Sequence, residues 1–162
     1  MLKKSVEDAL NKQLNAELYS SYLYLSMAAY FENIPMKGFG KWLRIQAEEE
    51  KAHGMKFYDY IIESQGTVKL AKIDAPKTVW KSPLDAFEEV YAHEQKVTGL
   101  INNLMDLAVK EKDYATQNML QWFVKEQVEE EANASEIVAK IKMIGERIGH
   151  LLCLDHELGK RE

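Results

Sequence analysis

The feature that most constrains this chain is the length of its first helical pattern. Residues 6–32 contain no glycine or proline and repeat apolar side chains at helical spacing. At about 1.5 Å per residue, this stretch predicts a helix roughly 40 Å long. Asn33, Ile34 and Pro35 break the pattern, and a second periodic stretch covers about residues 36–65. Because the connection is short, we expect an antiparallel helical hairpin.

The rest of the chain predicts a second hairpin, joined to the first by a long crossover. Residues 67–81 contain Pro76 and lack a helical period, and an extended segment of this length spans up to about 50 Å. Further helical patterns cover about residues 83–111, 114–144 and 147–158. We therefore predict an all-α single domain over residues 1–162: a four-helix bundle with a long crossover between its second and third helices and a short fifth helix.

Composition and charge exclude several classes of protein. The chain has 162 residues, of which 46% are hydrophobic, so it can fill a sizeable core. Its 26 acidic residues outnumber its 21 basic ones, which argues against binding to nucleic acid. The single Cys153 cannot form an intrachain disulfide, and charged residues interrupt the apolar runs near the start. We expect a cytoplasmic protein with no signal peptide and no membrane span.

Each of the four long helices carries polar side chains on the face that should fill the core. The residues that interrupt these faces are Glu17, Glu50, His53, Glu94, Gln127 and Glu130. Within each hairpin they lie at nearly the same distance from the turn, so all six can converge near the middle of the bundle. No lysine or arginine occurs on the four faces, so the buried carboxylates need shared protons or bound cations. Two divalent metal ions would neutralise four carboxylates, and carboxylate with imidazole suits iron or manganese.

Other residues near this set have two interpretations. A third, weaker cation position could form from Glu49, Glu126, Glu129 and Glu130. Three of these share a helix face by three- and four-residue spacing, although such acidic runs are as often an ordinary solvated surface. Tyr24 lies one heptad after Glu17 and could hydrogen-bond a metal ligand or simply fill the core.

With these residues assembled, the sequence resembles the bacterial non-haem ferritins over essentially its whole length. The segments that carry the resemblance are LNAELYSSYLYLSMAAYF, AEEEKAHGMKFYDYI, HEQKVT and LQWFVKEQVEEE, one in each long helix. The resemblance implies a hollow shell of twenty-four identical chains. Such a shell oxidises Fe(II) with dioxygen or peroxide and stores the ferric product as a mineral.

The resemblance also implies a role for each site residue. It places Glu17, Glu50 and His53 at a first iron site, Glu94, Gln127 and Glu130 at a second, and Glu49, Glu126, Glu129 and Glu130 at a third. Glu50 would bridge the two main iron ions, and Tyr24 matches the family's nearby tyrosine.

The chain differs from the related bacterioferritins at two points. They carry a haem-binding methionine directly after the bridging glutamate, where this chain has Lys51, so no haem is expected. They also have a second Glu-x-x-His motif in the fourth helix, where this chain has Gln127-x-x-Glu130. Two other functions stay open from the residues alone: a di-iron oxidase or peroxidase without iron storage, and a structural bundle whose acidic face is protonated or wet.

Overall fold

A computed structural model describes residues 2–162, which are helical apart from turns and one long crossover. The helices are α1 (Lys4–Asn33), α2 (Lys37–Glu63), α3 (Pro83–Lys110), α4 (Tyr114–Ile144) and α5 (Ile148–Leu158). No strand occurs within the described residues. The predicted fold class, a four-helix bundle with a long crossover and a short fifth helix, is confirmed.

The helix ends follow local capping chemistry. The side chain of Ser82 accepts a hydrogen bond from the Asp85 N–H at 3.1 Å, and Asp113 accepts one from the Thr116 N–H at 3.1 Å. At the end of α2 a residue other than glycine takes a positive φ. Gln65, and not the following glycine, adopts the left-handed backbone conformation, with φ 58°.

The crossover runs along the side of α1. The Asn11 side chain donates a hydrogen bond to the Thr67 carbonyl at 3.0 Å, and the Ser26 hydroxyl donates one to the Lys77 carbonyl at 2.7 Å. The crossover therefore climbs about four turns of α1. Trp80 then packs against Tyr30, with ring centres 5.4 Å apart. This path starts α3 at the same end of the bundle as α2. The polar residues of the two hairpins therefore lie at the same height in the bundle.

The bundle core has two apolar parts with a polar layer between them. The part near the α1–α2 turn is rich in aromatic side chains, including Phe31, Phe39 and Phe87. The opposite part is built mainly from aliphatic side chains around Phe57 and Phe123. Between the helix segments that supply these two parts lie six buried polar residues: Glu17, Glu50, His53, Glu94, Gln127 and Glu130. The fold thus encloses a polar layer at mid-height.

Helix α5 docks on the beginning of α2. A methyl group added at Gly38 would lie only 1.7 Å from the Asp155 carbonyl oxygen, so the two backbones meet without space for a side chain. The Phe39 N–H donates to the Asp155 carboxylate at 2.9 Å, and the Lys41 amine donates to the Gly159 carbonyl at 3.0 Å. None of the helices in residues 2–162 is apolar enough over a sufficient length to span a membrane.

Candidate metal centre

The six polar residues that interrupt the core faces all lie in the mid-height layer. Glu17, Glu50 and Glu94 are each 1% exposed. His53, Gln127 and Glu130 are also buried. Helical periodicity explains the arrangement, because residues three apart on one helix share a face and the two hairpins bring four such faces together.

The ligand atoms of these residues form overlapping groups. Within each group the atoms lie within 4.8 Å of one another, and the groups are Glu17–Glu50–His53, Glu50–Glu94–Glu130 and His53–Glu126–Glu130. Glu50 belongs to the first two groups, one built within the first hairpin and one that spans both hairpins. Its carboxylate therefore lies where two neighbouring groups of ligand atoms meet, as a bridging ligand would.

The layer is short of positive charge. In the described part of the chain, no lysine or arginine forms an ion pair with any of the four buried carboxylates. Burial, and secondarily the neighbouring Glu50, raises the pKa of Glu17 well above its usual range, and burial likewise raises the pKa of Glu50 and Glu94. Burial raises the pKa of Glu130 to about 7. Without cations, burial therefore favours the protonated form of these carboxyls.

One carboxylate oxygen shows most clearly that the layer lacks positive charge. Glu17 Oε2 is buried and has no hydrogen-bond partner within residues 2–162. A buried polar oxygen without a partner is costly, and a cation would satisfy it.

Neutral donors orient the carboxylates without supplying charge. The Gln13 amide donates to Glu17 at 2.8 Å, and the Gln46 amide donates to Glu130 at 2.6 Å. Sequence reasoning gave neither glutamine a role in the site. Gln13 lies four residues before Glu17, so helical spacing could have found it.

Tyr24 both fills the core and hydrogen-bonds a candidate metal ligand, the two roles that its sequence position allowed. It is fully buried, and its hydroxyl donates a hydrogen bond to the Glu94 carboxylate. The ring of His93 meets it edge-on at 5.7 Å between ring centres, and His93 Nε2 lies 2.8 Å from the Ser20 hydroxyl. Burial lowers the pKa of His93 to about 4, so this imidazole is neutral and adds no positive charge to the layer.

Gln127 faces the centre through its amide nitrogen. Nε2 donates to the Glu94 carboxylate at 3.2 Å and to the Glu94 backbone carbonyl at 3.3 Å. An amide binds a metal ion through its oxygen, so Gln127 would have to turn over to become a ligand.

The four residues of the predicted third position are not equivalent. Glu126 joins His53 and Glu130 in one of the three groups, whereas Glu129 is exposed and belongs to none of them. Glu49 is paired with Arg161, which follows α5. Sequence reasoning missed this arginine, because a residue after α5 has no fixed helical spacing to the long helices.

Fold and site together define a class of proteins, helical bundles that hold carboxylates and imidazole between two hairpins. A family model described as a ferritin-like domain matches residues 7–144. A bacterial non-heme ferritin of Bacteroides fragilis is 45% identical over 161 residues, which cover 99% of this chain and 100% of that protein. One from Campylobacter jejuni is 43% identical over 96% of this chain and 93% of its own length.

A solved structure has closely the same fold. The open pore ferritin of the hyperthermophilic archaeon Archaeoglobus fulgidus superposes with a TM-score of 0.99 at 52% identity, and the match covers 100% of both chains. The chain therefore belongs to the ferritin family, which confirms the resemblance drawn from its motifs.

Proposed function

We propose that this protein stores iron and has ferroxidase activity. It oxidises Fe(II) with dioxygen at a di-iron site within one chain and deposits ferric mineral inside a hollow shell of its own copies. The observation that carries the proposal is the buried layer of four carboxylates and one imidazole, with which no lysine or arginine among residues 2–162 forms an ion pair. Membership of the ferritin family supports the storage role.

In this proposal Fe(II) is both the substrate and the cargo. Glu17 and His53 hold one iron ion, Glu94 and Glu130 hold the other, and Glu50 binds both. Carboxylate oxygens are hard anionic ligands and favour Fe(III) over Fe(II), so they supply driving force for electron transfer to dioxygen. The protons that the carboxyls hold in the metal-free protein leave as the iron binds.

The weaker half of the site provides an exit for the product. Beside its two carboxylates the α3–α4 hairpin supplies only the neutral amide of Gln127, whereas the α1–α2 hairpin supplies the imidazole of His53. The second iron is therefore held less tightly, which favours movement of the ferric product into the shell interior. A shell of twenty-four chains is part of this proposal, supported by the family and by the similarity to the open pore ferritin. We place the reaction in a reducing cytoplasm, and no haem takes part.

Iron loading tests the proposal. Ferrous iron is added in air to metal-free protein, the soluble particles are separated by size, and iron atoms per chain are counted. We expect uptake far beyond the few ions that a bundle core can ligate, in a large particle. Uptake that stops at about two ions per chain in a small oligomer would contradict storage and would favour a di-iron oxidase or peroxidase. No uptake at all would favour a purely structural bundle.

A further inference from the structure

Arg161 makes a set of contacts at the edge of the metal centre that the proposed function does not use. Its side chain is 23% exposed, and its guanidinium lies over the Trp42 ring, 4.6 Å from the ring centre. One guanidinium nitrogen donates to the Gln46 side-chain oxygen at 2.9 Å. The other terminal nitrogen is paired with the Glu49 carboxylate. A planar guanidinium suits this combination of stacking and forked hydrogen bonding.

The docking of α5 holds this arginine in place. The close backbone contact between Gly38 and Asp155, and the hydrogen bond from Lys41 to the Gly159 carbonyl, fix the end of α5 against α2. Arg161 follows two residues after Gly159, so little chain freedom separates it from an anchored segment. Its position over Trp42 is a consequence of the fold as well as of its own contacts.

Arg161 also determines which way the Gln46 amide points. An arginine can only donate, so its hydrogen bond requires the Gln46 oxygen to face outward. The amide nitrogen then faces the centre, where it donates to Glu130 at 2.6 Å and lies 3.4 Å from Glu50. The arginine thus reaches the buried carboxylates through one glutamine.

Glu49 is the point at which Arg161 and a further metal ion would compete. Glu49 lies one helical turn before His53 on α2, and the ligand atom of His53 groups with those of Glu126 and Glu130 next to the main pair. A cation bound there would either draw Glu49 away from the guanidinium or share its carboxylate with it. In both cases the arginine opposes the metal ion, because two positive groups close to one carboxylate repel each other.

We propose that Arg161 is a positioning residue that acts as an internal cation: it competes with a divalent metal ion for Glu49 and so keeps a third metal position weaker than the main pair. This inference rests on the proposed function, since it requires that the buried layer bind divalent metal ions. It goes beyond that function, because it makes the affinity of the third metal position depend on the segment after α5.

The test is a calorimetric titration of the metal-free full chain with Zn²⁺, which binds these ligand types without redox chemistry. The variants are Arg161→Gln, Arg161→Lys, Glu49→Gln and the double variant Arg161→Gln/Glu49→Gln. In Arg161→Gln we expect the third site to tighten by about tenfold, because a paired charge is released, and the two tight sites to change by clearly less than that. Arg161→Lys keeps the charge without the planar fork, so its gain should be smaller.

The double variant separates competition from a general charge effect. If Arg161 acts through Glu49, replacing Arg161 in the Glu49→Gln background should change the third affinity by less than about twofold. A full gain in that background would overturn the inference, and so would a third site that is unchanged or weaker in Arg161→Gln. A wild-type chain without two tight Zn²⁺ sites would instead contradict the proposed function. Matching thermal unfolding midpoints exclude a folding defect.

Discussion

The two hairpins bring unlike ligand sets to the same buried layer. The α1–α2 hairpin supplies the carboxylates of Glu17 and Glu50 with the imidazole of His53, whereas the α3–α4 hairpin supplies two carboxylates and the amide of Gln127. The negative charge is equal on both sides, but only the first side adds a strong neutral ligand. In the proposed function, this difference makes the two metal positions alike in the charge they require and unlike in affinity, with Glu50 joining them.

Loss of the shared residue should have the largest effect. Glu50→Ala removes a ligand from both positions, so we expect the initial rate of aerobic Fe(II) oxidation to fall on the order of 100-fold or more. Glu129→Ala is the matched control, because Glu129 lies on the exposed surface of α4. The rate is followed by absorbance of the ferric product. Equal rates in the two variants would show that Glu50 is not the bridge.

Lowering the pH should weaken both halves together. The raised pKa values of Glu17, Glu50 and Glu94, and the pKa of Glu130 of about 7, mean that protons compete with cations below neutrality. For each proton displaced, affinity should fall about tenfold per pH unit below the ligand pKa. Zn²⁺ titrations between pH 8 and pH 6, at about one-unit steps, measure this dependence. A pH-independent affinity would contradict protonated carboxyls in the metal-free layer.

The raised pKa of Glu130 also determines whether the stability of the metal-free protein rises or falls with pH. The Glu130 pKa of about 7 lies above its ordinary 4.5, so the folded metal-free chain binds more protons than the unfolded chain between these values. Stability attributable to Glu130 is present below this window and is lost as pH rises through it. The thermal midpoint of wild type relative to Glu130→Gln should therefore fall with rising pH. A rising difference would mean that Glu130 is ionised in the fold.

Giving the second hairpin an imidazole should reduce the difference between the halves. Gln127→His places a strong neutral ligand where the amide now stands, and we expect the weaker of the two main Zn²⁺ affinities to rise about tenfold. Gln121→His, on the exposed side of α4, is the control and should leave both affinities unchanged. If Gln127→His also has no effect, residue 127 does not face the second cation.

The site could be found from the sequence to the extent that helical periodicity governs it. Glu17, His53 and Glu94 break regular apolar faces on long helices, so their burial follows from spacing alone. The position of Arg161 and the orientation of the Gln46 amide do not follow from spacing, because both depend on how α5 docks across the bundle. Spacing likewise put Glu129 on an acidic face without showing that this face points outward.

Disturbing the docking of α5 should have the smallest effect of these changes. It should lower the stability of the fold, mainly at the first hairpin, on which α5 docks. Gly38→Ala forces a methyl group against the Asp155 backbone, so we expect a loss of about 1–3 kcal/mol, measured as a lower thermal unfolding midpoint. Gly99→Ala is the control, because a methyl group there meets nothing within 4 Å on an exposed helix surface. That change should be neutral or stabilising by up to about 1 kcal/mol. Equal midpoints would contradict tight docking of α5.

The central claim is that the buried layer binds a pair of iron ions that share Glu50. Anomalous X-ray diffraction at the iron edge, on crystals loaded with Fe(II) without oxygen, tests it most directly. We expect two peaks in each chain about 3.5–4 Å apart, one beside Glu17 and His53 and one beside Glu94 and Glu130, with Glu50 between them. Iron found only along the exposed acidic surface, or a single ion away from Glu50, would contradict the account.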